Sequence, residues 1–149
     1  ARFGLGGRGY AGSTRWAGYA TKKMPGLLAQ SKDETVVIAQ IEEPSAVEIA
    51  GEIASIDGID GLFAGPADLS VGMGFENQDT NELKAALKKT GVAAKQNGKG
   101  YASFIGEANQ AKSWTENYGV NMFFVGSEHN FIRNKANEIA LQVKANPEK

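Results

Sequence analysis

The chain has 149 residues, 42% of them apolar and 22% charged, the size and composition of one globular domain. A formal net charge of −1 gives no basic field for nucleic acid, and no apolar stretch approaches the roughly 20 residues that span a bilayer. Cysteine is absent, which removes disulfides, thiolate ligands and thiol nucleophiles; with no secretory leader pattern, a cytoplasmic location is expected.

Residues 1–12, "ARFGLGGRGYAG", read as a loop, and "STRWAGYATKK" (13–23) reads as a short helix behind a Ser/Thr start. We therefore expect a leading segment, 1–34, followed by a regular part, 35–149. "TVVIAQI" (35–41) is a continuous apolar run of the kind found in strands buried on both faces. "EPSAVEIAGEIASI" (43–56) spaces Val47, Ala50, Ile53 and Ala54 as one helix, with Pro44 in its first turn. "DGLFAG" (60–65) is a second strand, and "PADLSVGMG" opens a short helix. "DTNELKAALKKTGVAAKQNG" (79–98) is a helix capped by Asp79 or Thr80 and stopped by Gly98. "KGYASFI" (99–105), "GEANQAKSWTENYG" (106–119) and "NMFFVG" (121–126) give strand, helix, strand, and Ser127 caps a closing helix to 145.

Strand followed by helix, four times over, implies a parallel sheet with covering helices. An open doubly wound sheet and part of a (β/α)8 barrel both fit this order. A whole barrel takes about 250 residues, so four units are half of one. Half a barrel exposes two sheet edges and an apolar face, which we expect another segment or chain to cover.

Parallel α/β proteins gather function at the C-terminal ends of their strands. Gln40 and Glu42 share a face at one such end, because side chains alternate along a strand. Asp68 lies just past the next strand, after the turn Gly65-Pro66-Ala67. Neighbouring parallel strands are about 4.8 Å apart, so the two carboxylates can meet at one point. Two carboxylates and water form an all-oxygen site suited to Mg²⁺ or Mn²⁺ rather than zinc. The turn also places the first-turn N–H groups of Ala67, Asp68 and Leu69 toward the strand ends, where a helix N-terminus favours an anion. A plainer reading stands beside this one: Asp68 caps the helix that follows, and Glu42 is a first-turn charge of its own helix.

The stretches "VVIAQIE", "IASIDGIDGLFAGPADLSVGMG" and "GGRGYAGSTRWAGY" resemble the metal-dependent class II pyruvate aldolases of the HpcH/HpaI family, which includes 4-hydroxy-2-oxoheptanedioate and 2-dehydro-3-deoxyglucarate aldolases. The resemblance runs from about Phe3 to the last helix and is most specific across 36–74. It implies the C-terminal half of a (β/α)8 barrel. It implies that Glu42 and Asp68 ligate a divalent cation (Mg²⁺ or Mn²⁺, with Co²⁺ a further option). It implies that Gln40 sits beside a pyruvyl group whose carboxylate is received by the turn Gly65, Pro66, Ala67 and Asp68. The implied activity is a carbon–carbon lyase acting between pyruvate, as its enolate, and an aldehyde, with a 4-hydroxy-2-oxo acid as substrate. A homo-oligomer or a complementary N-terminal segment is the implied protein partner.

The departures are specific. The family's arginine over the oxo group and its His/Asp base pair match no residue here, so no catalytic residue is assigned within this chain. Arg8 corresponds to the Arg-Gly turn, a different position, and Glu128 stands where relatives often carry Asp. His129, the lone histidine, is a first-turn residue of the last helix or else an acid–base group. Phe104, Phe123 and Phe124 read as core, with Phe104 also placed to line a substrate pocket. Lys88, Lys89 and Lys95 read as a solvated helix face, and "GLGGRG" follows no strand and so is no dinucleotide fingerprint. Two other functions compete: a related metal-enolate lyase acting on a dicarboxylic acid or acyl thioester, and a non-catalytic fragment lacking the base-bearing half.

Overall fold

The computed structural model describes residues 1–4 and 6–145. Its strands are β1 (Ile38–Ile41), β2 (Gly61–Ala64), β3 (Gly100–Ile105) and β4 (Met122–Val125), all parallel and ordered β1-β2-β3-β4. Seven α-helices lie among the described residues: α1 (Met24–Glu34), α2 (Pro44–Glu48), α3 (Ala50–Ser55), α4 (Pro66–Gly72), α5 (Asn81–Gln96), α6 (Ala111–Tyr118) and α7 (Glu128–Ala145). None of the described helices is long and apolar enough to cross a membrane.

The core lies on one face of the sheet. Ile41, Leu62, Ala64 and Tyr101 pack there against Val47, Ala50, Ala54, Leu83, Leu87 and Ala94 from α2, α3 and α5. The expectation that strands are buried on both faces is corrected. Alternation puts Gln40, Phe63, Phe104 and Phe124 on the opposite face, in register as Gln40 with Phe63 and Phe104 with Phe124. Phe104 and Phe124 are 40% and 52% exposed, so they are not core. Phe124 instead sets its edge on Phe63, centroids 5.3 Å apart. The helices that build the core cover the first face alone, and this second face stays open.

Two helix boundaries also differ from expectation. Residues 13–23 form turns rather than a helix, because Gly18, Tyr19 and Ala20 take positive φ in succession (62°, 53° and 70°), which no right-handed helix accommodates. The helix of the leading segment is α1, with Pro25 in its first turn. The single helix expected over 43–56 breaks at Ile49 (φ −104°, ψ 15°), which re-aims α3 so that Ala50 and Ala54 meet the core. The other caps follow the sequence. Thr80 Oγ1 accepts from Leu83 N–H at 3.2 Å at the start of α5, and Gly98 follows that helix at φ 66°.

A carboxylate pair at the strand ends

Gly65 locates the site. Its N–H donates to the Ile41 carbonyl at 3.1 Å, which ties the turn after β2 to the end of β1. Its carbonyl accepts from Leu69 N–H at 3.0 Å and starts α4. This corrects one expectation: the Leu69 N–H is engaged, leaving those of Ala67 and Asp68 as the first-turn donors. Gly65 has φ −92°, so the glycine is not required by backbone strain. Its use is one of space. A Cβ placed there would lie 3.1 Å from Asp68 Oδ2 and 3.4 Å from Glu42 Cβ. Glu42 and Asp68 therefore both border the space of the missing side chain, and both are exposed at the strand ends.

Gln40 completes the cluster. Its Nε2 donates to Glu42 Oε2 at 2.7 Å, a short bond of the kind made to an ionised acceptor. A cavity of about 480 Å³ opens beside it, reaching Gln40, Phe63, the Gly65-Pro66-Ala67-Asp68 turn and Phe104. Phe104 thus lines the cavity, as its place at a strand end suggests. A second hollow of about 400 Å³ is lined by Glu42, Glu43, Ala67 and Asp68, so Asp68 borders both spaces. A larger cavity of about 540 Å³ lies at the opposite ends of the strands, by Lys88, Lys95, Tyr101 and Tyr118. It contains no carboxylate, and Lys95 stands in the last turn of α5, where a cation complements the helix dipole.

The donor set suits a hard divalent cation. Glu42 and Asp68 offer carboxylate oxygens beside the Gly65 gap, and both groups reach solvent for the waters such an ion retains. Among the described residues no three acidic or histidine side chains are placed to hold one ion together, so the protein would supply two ligands and water or substrate the rest. His129 lies elsewhere, on α7, with its side chain 87% exposed and Nδ1 3.5 Å from Glu128 Oε1. The cavity residues that escaped the sequence reading include Gln78 from the loop after α4, and Gln110 and Trp114 from the segment after β3. The only signal for the latter two was their place after a strand end; Gln78 carried none.

The HpcH/HpaI aldolase/citrate lyase family pattern matches residues 7–134. The chain belongs to this family. An Escherichia coli 4-hydroxy-2-oxo-heptane-1,7-dioate aldolase is 30% identical over 140 residues, covering 93% of this chain and 51% of the relative. The crystal structure of a family protein from Burkholderia cenocepacia superposes with a TM-score of 0.82 at 25% identity, over 92% of this chain and 52% of that one. A citrate lyase β subunit from M. tuberculosis, solved with oxaloacetate and magnesium, is more distant: TM-score 0.51 and 18% identity, over 66% of this chain and 51% of its own. The chain spans about half the length of the curated relatives it matches. Its four parallel strands and flanking helices are thus the α/β fold of about half a family member.

Proposed function

We propose that this chain carries the cation- and pyruvate-binding half of a divalent-metal-dependent aldolase. The reaction is reversible carbon–carbon cleavage of a 4-hydroxy-2-oxo acid to pyruvate, as its enolate, and an aldehyde. The observation that carries the reading is the Gly65 gap that both Glu42 and Asp68 border. Glu42 and Asp68 hold Mg²⁺ or Mn²⁺, and the cation, when bound, acts as a Lewis acid on the 2-oxo group. The turn Gly65-Pro66-Ala67-Asp68 borders the adjoining cavity and receives the carboxylate of the oxo acid with the N–H groups of Ala67 and Asp68. Phe63, Phe104 and Trp114 give that cavity a largely apolar wall.

The cavity wall from this chain includes no Lys, Arg or His. Asp68 is committed to the cation, and Gln40 cannot accept a proton. The base that removes the 4-hydroxyl proton, and a cation for the oxo group, must then come from whatever covers the open sheet face, a complementary segment or another chain. The 149-residue chain alone is expected to release little pyruvate, since loss of a general base costs about 10²–10⁴ in rate. The similarity to a citrate lyase subunit favours, as second reading, a lyase for a dicarboxylic acid or its thioester. Pyruvate release from 4-hydroxy-2-oxo acids, set against cleavage of acyl thioesters by the assembled protein, separates the two. The cation site is tested directly by calorimetric titration with Mn²⁺. Binding is expected in the unaltered chain and lost in Glu42→Gln and in Asp68→Asn; equal binding by the double variant would sink the proposal.

A further inference from the structure

The bond from Gln40 to Glu42 gives the glutamine a different task from contacting substrate. We infer that Gln40 is a positioning residue for Glu42: its amide fixes the carboxylate in the orientation that meets the cation. The inference rests on the cation site proposed above. Gln40 lies in the last residues of β1 and Glu42 just past its end, two apart, so alternation sends both side chains to one side of the chain. Glu42 is exposed, and a free glutamate there samples many rotamers. Gln40 Nε2 removes that freedom by holding Oε2 at 2.7 Å, leaving Oε1 for a ligand. The residue in register with Gln40 is Phe63, and the turn beside it begins with Gly65 and Pro66, none of which has a side-chain hydrogen-bonding group. With Nε2 turned to Glu42, the group that Gln40 keeps for the cavity includes its amide oxygen, an acceptor. A metal ligand oriented in this way by an outer amide typically loses 10–100-fold in affinity when the amide goes.

The test uses the 149-residue chain and Mn²⁺ alone, by calorimetry and by electron paramagnetic resonance of the bound ion. Gln40→Met keeps the length of the side chain without its donor; Gln40→Ala removes both. Both variants are expected to bind Mn²⁺ about 10–100-fold more weakly, with an altered resonance line shape. The thermal midpoint of the metal-free protein should not move, because Gln40 is exposed. A merely structural role would shift the midpoint and leave the line shape alone. Unaltered affinity and line shape in both variants overturn the role of Gln40 and leave the cation site standing. Failure of the unaltered chain to bind Mn²⁺ overturns both.

Discussion

Gly65→Ala separates cation binding from folding at a single atom. The backbone at Gly65 (φ −92°, ψ 94°) is one that alanine adopts freely. Replacing glycine at such a position lowers the entropy of the unfolded chain and stabilises by about 0.4–1 kcal/mol. The new methyl group lies 3.1 Å from Asp68 Oδ2, 3.4 Å from Glu42 Cβ and 3.8 Å from Asp68 Cβ. The first contact obliges the carboxylate to move by a few tenths of an ångström. Asp68 is exposed and turns away readily, so the folded state suffers little. A metal site tolerates only about 0.2 Å in its ligand distances. Returning Asp68 to the cation then requires an off-rotamer side chain, about 0.5–1.5 kcal/mol, or about a 2- to 12-fold loss of affinity. Mn²⁺ calorimetry and a thermal melt of the metal-free protein read the two quantities separately. The expected outcome is weaker binding with an equal or slightly raised midpoint. Unchanged affinity would show that the two carboxylates do not close around the Gly65 gap, and a fall in the midpoint would show that the methyl group disturbs the turn instead.

The sequence predicts the strand and helix order well because each element carries its own period and its own stop. Thr80 and Gly98 bracket α5 in the structure as their chemistry requires. The placement of Glu42 and Asp68 beside Gly65 was legible for a similar reason: strand alternation and a glycine turn fix direction without knowledge of distant residues. The errors arise where remote contacts decide. Tyr19 and Ala20 hold left-handed backbone that neither residue type favours, so local preference argues for a helix that does not form. The apolar strands announce burial but not which face the helices cover, so Phe104 and Phe124 read as core and stand instead on the open face. Gln78, Gln110 and Trp114 reach the cavity through the paths of loops and of the helix after β3, which no local period encodes.

Two further substitutions test the packing that holds the site in place. Gly91→Ala drives a methyl group into the Tyr118 carbonyl and to 2.9 Å from the Tyr101 ring. Despite the better helix preference of alanine, α5 and α6 must separate, at a cost of about 1–3 kcal/mol or more; an unchanged or raised urea midpoint would contradict the close approach. Tyr101→Phe bears on alkaline stability. Tyr101 is 1% exposed and its phenol donates to the Leu87 carbonyl at 2.8 Å. Burial raises its pKa well above the ordinary value of about 10, and the nearby Tyr118 adds to the shift. The folded state therefore keeps this proton more tightly than the unfolded chain. Its contribution is complete below about pH 10 and is lost as pH rises beyond that. At neutral pH the variant should lose about 0.5–1.5 kcal/mol with the hydrogen bond, yet above about pH 10 its stability should fall less steeply than that of the unaltered chain. Urea midpoints measured across that range decide the matter, and parallel alkaline slopes in the two proteins would refute the assignment to Tyr101.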